Sequence, residues 1–142
     1  VVSVEIGAGR GRANNNPGNL EFLEQRGARL GEDGRFAAFR SPEDGLAALD
    51  HQVRLYQSGR TRTGLGPQSS VRELAATYLG GAENPENDFD QYLSNLVFAL
   101  RDWNVTENTK ISKIPTAALV DAIAWIESNA IVSRETSRTR VS

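Results

Sequence analysis

The feature that most constrains this chain is a polar stretch from Gly9 to Leu20, which reads GRGRANNNPGNL. Three consecutive asparagines followed by Pro-Gly-Asn are denser in turn-forming residues than an ordinary connection needs. Asparagine tolerates left-handed backbone angles, Pro17 fixes one torsion, and Gly18 permits a positive φ. We therefore predict a shaped polar loop. Its composition suits a tight structural turn as well as a ligand-facing loop.

As a ligand-facing loop, this stretch would present carboxamides and backbone amides to its ligand. Such groups suit a neutral ligand that is rich in hydroxyl and acetamido groups. The candidate binding residues are Asn14, Asn15, Asn16, Gly18 and Asn19.

Composition and charge restrict the class of protein. The 142 residues, 39% hydrophobic and 24% charged, fit one soluble globular domain with a real core. The net charge of −2 gives no overall positive field, so we expect no nucleic-acid partner. No apolar run approaches the roughly 20 residues of a membrane span, so we expect no membrane insertion.

The chain contains no cysteine and one histidine, His51. Disulfide frameworks, thiol nucleophiles and zinc fingers are therefore excluded, and we expect no metal and no cofactor. His51 lies in a helical pattern, where a solvated residue is a simpler interpretation than a catalyst. Carboxylates, amides and hydroxyls remain for chemistry.

Helix start and stop signals predict four helices. They run from Ser41-Pro42 to about Gln57, from Ser70 to about Leu79 before Gly80-Gly81, from a cap at Glu83 to Asp88 as far as Leu100, and from Pro115 to about Asn129. A small irregular or β lobe precedes them, with a turn at residues 31–34 and a short strand at 35–40. The predicted fold class is α+β, mainly α, with one domain over residues 1–132 and a polar, arginine-bearing tail over 133–142.

A carboxyl group at the end of an apolar helix is the economical candidate for a general acid, because desolvation keeps its proton on near neutral pH. Glu127 has this setting, since it follows Ala122 to Ile126 directly and precedes Ser128. The negative end of the helix dipole acts in the same direction. A solvent-facing glutamate in a final turn is the structural alternative, and Glu5 and Glu21 are the alternative acids.

Three motifs follow one another in the order of a known family. They are RANNNPGNL from Arg12, GRFAAFRSPEDGLAA from Gly34, and Glu86-Asn87-Asp88 before Tyr92. This order resembles that of bacteriophage virion proteins and prophage products with a lysozyme-like domain, over about residues 9–100 and more weakly over the last helix. It is also similar to bacterial glucosaminidases and lytic transglycosylases, which cleave the glycan strands of peptidoglycan.

The sequence departs from that family in one respect. In such lysozyme-like enzymes a helix ending in Glu-Ser precedes the asparagine loop, whereas here only residues 1–8 precede it. The segment from Ala118 to Ser128 resembles that helix at the other end of the chain. We therefore expect a circularly permuted lysozyme-like domain, in which Glu127 packs beside the loop from Asn14 to Asn19.

The resemblance implies that Glu127 protonates a glycosidic oxygen while the asparagine loop and Tyr92 bind the sugar. A second carboxylate at a fixed position is not evident, which favours a lytic transglycosylase over a hydrolase. The implied partners are peptidoglycan and other virion proteins, and the implied location is a phage tail or baseplate acting in the cell wall or periplasm. An inactive structural virion protein and a non-catalytic glycan-binding module are the alternatives.

Overall fold

The computed structural model describes residues 2–78 and 88–134, and the chain divides into two units. The first unit is built from residues 1–49 and 123–142, and the second from residues 50–122. Within the described residues the helices are α1 (Arg10–Ala13), α2 (Pro42–Ser58), α3 (Val71–Tyr78), α4 (Phe89–Ala99) and α5 (Thr116–Ser128), and the strands are β1 (Val2–Glu5), β2 (Arg29–Leu30), β3 (Ala37–Ala38) and β4 (Ile131–Arg134). The predicted α+β class, mainly α, is confirmed. The single domain predicted over residues 1–132 stays a prediction.

Helix α2 begins where the sequence predicts. The Ser41 hydroxyl accepts a hydrogen bond from the backbone N–H of Asp44 at 3.1 Å, and Pro42 takes the first helical position. The helix ends at Ser58, and Gly59 follows with a φ of 78°. A left-handed glycine after the last turn is a usual helix stop.

The capping box predicted for α3 is present. The backbone N–H of Ser70 donates to the Glu73 carboxylate at 3.1 Å, and the backbone N–H of Glu73 donates to the Ser70 hydroxyl at 3.1 Å. At the start of α4, the Asp88 carboxylate accepts from the backbone N–H of Gln91 at 3.0 Å. The predicted stop at residues 79–81 and the remainder of the cap at residues 83–87 lie outside the described residues.

The β lobe is smaller than predicted. Strands β2 and β3 pair antiparallel, with Arg29 opposite Ala38 and Leu30 opposite Ala37, so the strand predicted at residues 35–40 covers only two residues. The turn predicted between them is confirmed. Its geometry depends on Asp33, whose carboxylate accepts from the backbone N–H groups of Arg35 and Phe36, each at 3.0 Å.

A second sheet, which the sequence did not predict, joins the first and last described segments. Strands β1 and β4 pair antiparallel, with Val2 opposite Arg134 and Glu5 opposite Ile131. Residues 133 and 134, which the sequence assigned to the polar tail, belong to this paired strand, and the predicted boundary at residue 132 stays a prediction. The rest of the predicted tail, residues 135–142, lies outside the described residues.

Each unit buries its own apolar residues. Fully buried side chains of the first unit include Phe39, Leu49 and Ile123, and those of the second include Leu74, Leu96 and Ile111. Among the described helices, none is long and apolar enough to cross a membrane.

Candidate functional site

The asparagine loop begins with one turn of helix, α1, and then reverses direction through left-handed residues. Asn15 has a φ of 50° and Asn19 a φ of 49°. Gly18, which would permit a positive φ, does not adopt one. Asparagine adopts this backbone region more readily than other residues with a Cβ, so the sequence Asn-Asn-Asn-Pro-Gly-Asn places the reversal at its asparagines.

Asn16 has a structural role in the loop. Its side chain is fully buried, and its amide nitrogen donates to the backbone carbonyls of Leu20 and Ala37, both at 2.9 Å. Its carbonyl oxygen accepts from the backbone N–H of Leu20 at 3.0 Å. Both amide protons and the oxygen are therefore used inside the protein, and the predicted ligand-binding role of Asn16 stays a prediction.

Asn14 and Asn15 also turn their polar groups inward. The Asn15 amide donates to the backbone carbonyl of Phe39 at 3.0 Å, and the Asn14 backbone carbonyl accepts from the Phe39 N–H at 2.8 Å. The Asn14 side chain is buried and hydrogen-bonds Asp33. Backbone hydrogen bonds from Phe36 and Arg35 hold the pKa of Asp33 below its ordinary value of 3.8, and Asn14 acts in the same direction. These asparagines tie the loop to the β lobe instead of facing a ligand.

Asn19 differs from the other asparagines because its side chain meets the last turn of α5. Its amide nitrogen donates to the backbone carbonyl of Glu127 at 2.8 Å and lies 3.4 Å from the Glu127 carboxylate oxygen Oε1. The two residues are 108 positions apart in the sequence. The predicted packing of Glu127 beside the asparagine loop is confirmed.

Physical chemistry explains why the loop and the helix end meet. The last carbonyls of a helix lack intrahelical partners, so other groups must satisfy them. The backbone N–H of Gly7 donates to the carbonyl of Ser128 at 3.0 Å, in addition to the bond from Asn19 to Glu127. The buried Ser128 hydroxyl donates to the carbonyl of Pro17 at 2.6 Å. The residues around the asparagine loop therefore cap α5 from one side.

Two glycines allow this close approach. A Cβ on Gly11 would lie 2.7 Å from the Ser128 Cβ and 3.0 Å from the backbone oxygen of Asn16. A Cβ on Gly45 would overlap the backbone oxygen of Asn15. A residue with a Cβ at Gly11 or Gly45 would prevent α1 and α2 from packing this closely against their neighbours.

Glu127 lies at an edge where a ligand could reach it. Its side chain is half-buried, and Trp125, two residues earlier, is exposed. Among the described residues, the buried oxygen Oδ1 of Asn19 has no hydrogen-bond partner. Glu127 therefore offers a carboxyl group at the helix end, and the Asn19 amide holds that helix end in place.

Comparison with known proteins does not assign this chain to a family. No protein-family model matches the chain, and no curated protein matches its sequence significantly. The support for a proposed function therefore comes from the residues and their geometry.

The alternative acids have different surroundings. Glu5 is exposed on β1 opposite Ile131. Glu21 is exposed and forms an ion pair with Arg35, whose Nη2 lies 2.8 Å from its Oε1. Neither has the half-buried, helix-end setting of Glu127.

Tyr92 lies in the second unit, on α4. Its ring is buried and stacks on Tyr78, with centroids 6.4 Å apart. A tyrosine packed in this way serves a core, and its predicted role in sugar binding stays a prediction. Among residues 2–78 and 88–134, no group of three or more acidic, histidine or cysteine side chains is placed to hold a metal ion.

Sequence reasoning missed Ser128 and Gly11 as residues that shape the site. A serine that follows a glutamate in a last helical turn gave no sign of its partner, because Pro17 is 111 positions away. The glycine had a weak signal, since Gly9 and Gly11 flank an arginine in a stretch of high turn propensity. A close packing contact is one reason for such a glycine inside a helix.

Proposed function

We propose that this chain is a lysozyme-like domain of a phage virion protein that cleaves the glycan strands of peptidoglycan, with Glu127 as the general acid. The observation that carries the proposal is the contact between Asn19 and Glu127, at 2.8 Å to the backbone oxygen and 3.4 Å to the carboxylate. The order of the sequence motifs predicted this contact, although the two residues lie 108 positions apart. A glutamate on a well-capped helix end is also held in position for proton transfer.

The proposed chemistry needs one carboxyl group. Glu127 would donate its proton to the glycosidic oxygen as the bond from that oxygen to the anomeric carbon breaks. The resulting carboxylate would then accept the proton of the muramic acid 6-hydroxyl as this hydroxyl attacks the anomeric carbon. The product is an anhydro sugar, and no water is consumed. A lytic transglycosylase therefore suits a site with a single carboxyl group better than a two-carboxylate hydrolase does.

Asn19 is the loop residue that we propose to hold Glu127 beside the sugar. Its amide nitrogen donates to the backbone carbonyl of Glu127 and lies 3.4 Å from the carboxylate, while its oxygen Oδ1 is buried. Since Asn14, Asn15 and Asn16 use their side chains within the loop and the β lobe and Gly18 is buried, the half-buried Asn19 is the part of the predicted sugar-binding loop that lies beside Glu127.

The pairing of β1 with β4 supports the permuted order. If the end of β4 were joined to the start of β1, the chain would run from α5 through a hairpin and α1 into the asparagine loop. This is the order of the lysozyme-like family, with the Glu-Ser helix before the loop. Val2 lies opposite Arg134 in the antiparallel pair, so a two-residue turn could join these two residues into a hairpin.

Release of soluble muropeptides from purified peptidoglycan tests the catalytic proposal. We expect the wild type to release anhydro-muropeptides, identified by mass spectrometry, and Glu127→Gln to release none. Glu5→Gln and Glu21→Gln are matched controls, because each removes one negative charge from an exposed glutamate of the same unit and should keep full activity. Loss of activity in either control, with activity kept in Glu127→Gln, would move the acid away from Glu127.

A rearranged chain tests the permutation proposal separately. An Asn-Gly turn would join Arg134 to Val2, and new ends would open between Glu107 and Asn108, which are exposed. We expect a folded protein with the circular dichroism spectrum and muropeptide release of the wild type. A second opening at the exposed Gly64 checks the site of opening. Unfolded protein from both openings would contradict the proposal.

A structural virion protein that has lost the activity is the second candidate. The observation that favours it is the inward orientation of Asn14, Asn15 and Asn16, because these side chains serve the fold and leave few loop groups for a ligand. It predicts no muropeptide release from wild type or variants and incorporation of Glu127→Gln into particles at the wild-type level. Release by the wild type would exclude it.

A further inference from the structure

Two segments of the second unit carry basic residues and no acidic ones. Residues 59–71 and 108–120 contain four basic residues and no acidic one, whereas the whole chain has a net charge of −2. The four are Arg60, Arg62, Lys110 and Lys113, and all are exposed. Among the described residues, none of the four takes part in an ion pair.

Backbone hydrogen bonds hold the two basic segments side by side. The N–H of Ile111 donates to the carbonyl of Ser69 at 2.8 Å, and the N–H of Val71 donates to the carbonyl of Thr109 at 3.0 Å. The Ser112 hydroxyl donates to the carbonyl of Pro67 at 2.6 Å. The two segments are far apart in the sequence, but these bonds hold them next to each other.

An open groove lies beside this surface. Its cavity volume is about 500 Å³, within the size range of ligand sites. Its lining includes Arg54, Arg60, Ser58 and Ser112, together with residues 114–116. Arg54 is neutralised by Asp50, with 2.7 Å between Nε and Oδ2, so Arg60 supplies the uncompensated charge of the lining.

Hydrogen bonds of the Gln57 side chain fix the residues that line the groove. The Gln57 amide donates to the carbonyls of Ile111 and Ile114, both at 2.8 Å, and its oxygen accepts from the Thr116 hydroxyl at 2.7 Å. All hydrogen-bonding groups of the Gln57 side chain are therefore used to fix the second basic segment against α2. A groove with a fixed floor needs little rearrangement when it binds a ligand.

We propose that this groove, with Arg60 in its lining and the other exposed cations of the two neighbouring segments, binds an anionic cell-wall polymer whose repeat carries a carboxylate or a phosphate. Repeated negative charges on a flexible polymer match several exposed cations that lie along two neighbouring segments. Serine and threonine hydroxyls in the lining suit the hydroxyls of a carbohydrate. The choice of a wall polymer rests on the proposed function, whereas the anionic character of the ligand rests on the groove.

Co-sedimentation with cell walls tests the proposal. The probes are walls that retain their phosphodiester polymers, walls from which acid has removed them, and stripped walls whose stem-peptide carboxylates have been amidated. The groove variant carries Arg60→Gln, Lys110→Gln and Lys113→Gln. The matched control carries Arg26→Gln, Arg29→Gln and Arg40→Gln, which change the net charge equally at exposed positions of the first unit.

We expect the groove variant to bind anionic walls about tenfold more weakly than the control variant, the effect of losing three exposed charge contacts. Loss of wild-type binding on acid stripping would identify phosphates, and loss on amidation would identify carboxylates. Equal binding by the two variants, or full wild-type binding to amidated stripped walls, would overturn the proposal. Wild-type binding to double-stranded DNA and to none of the walls would also overturn it.

Muropeptide release measured on the same samples separates this proposal from the catalytic one. A wild type that releases nothing, with binding lost in the groove variant, supports the groove and refutes catalysis. Release by the wild type, with equal binding by both variants, supports catalysis and refutes the groove.

Discussion

Replacing Asn16 by alanine should remove a large part of the stability of the first unit. The fully buried side chain makes three hydrogen bonds, two to carbonyls at 2.9 Å and one from an N–H at 3.0 Å. Each bond contributes about 1 kcal/mol net, and the partners left buried add to the cost, so we expect a loss of about 3–5 kcal/mol. Asn16 does not take a positive φ, so alanine adds no backbone strain.

The loss can be measured by urea unfolding followed through Trp125, which belongs to the first unit, in a Trp103→Phe background. We expect the midpoint to fall by about 2 M. Asn108→Ala is the matched control, because Asn108 is exposed, and it should change stability by less than about 0.5 kcal/mol. A loss below about 1 kcal/mol for Asn16→Ala would refute the structural role and return Asn16 to the candidate ligand-binding residues.

Three further changes have definite expected results. Gly11→Ala should destabilise the first unit by about 1–3 kcal/mol in thermal unfolding, because the new Cβ would lie 2.7 Å from that of Ser128. Gly66→Ala is the control and should be nearly neutral, because its Cβ would have its nearest contact at 3.6 Å. Equal effects of the two changes would contradict the close packing. Ser70→Ala should lower the stability of α3 by about 0.5–2 kcal/mol in hydrogen exchange, and unchanged protection of α3 would argue against the capping box. The lowered pKa of Asp33 contributes stability that is present above pH 3.8 and is lost as the pH falls through the lowered value. Asp33→Asn should therefore reduce the loss of unfolding free energy between neutral and acid pH. The same loss in the variant and the wild type would contradict this assignment.

The sequence predicted the features that depend on local chemistry. Helix α2 starts at its Ser-Pro cap, α3 starts at its capping box, and the turn at residues 31–34 forms, because each depends on groups within a few residues of one another. The meeting of Glu127 with the asparagine loop was predicted from the order of motifs and not from local chemistry.

The features that were missed depend on partners far apart in the sequence. Strands β1 and β4 have four residues each and pair across more than 120 positions, so neither has a periodic signal of its own. The orientation of each asparagine was equally invisible. Asn16 and Asn19 have the same side chain and lie three residues apart, but one points into the β lobe and the other toward α5.

Asn19 is the residue at which scaffold and function separate. A structural loop would satisfy all its buried polar atoms, as Asn16 does, because an unpaired buried acceptor costs free energy. Asn19 instead combines a left-handed backbone, with a φ of 49°, and a buried oxygen that has no partner among the described residues. Such costs persist in folded proteins mainly where function requires them. The amide of the same side chain contacts Glu127, so Asn19 fixes the position of the proposed acid.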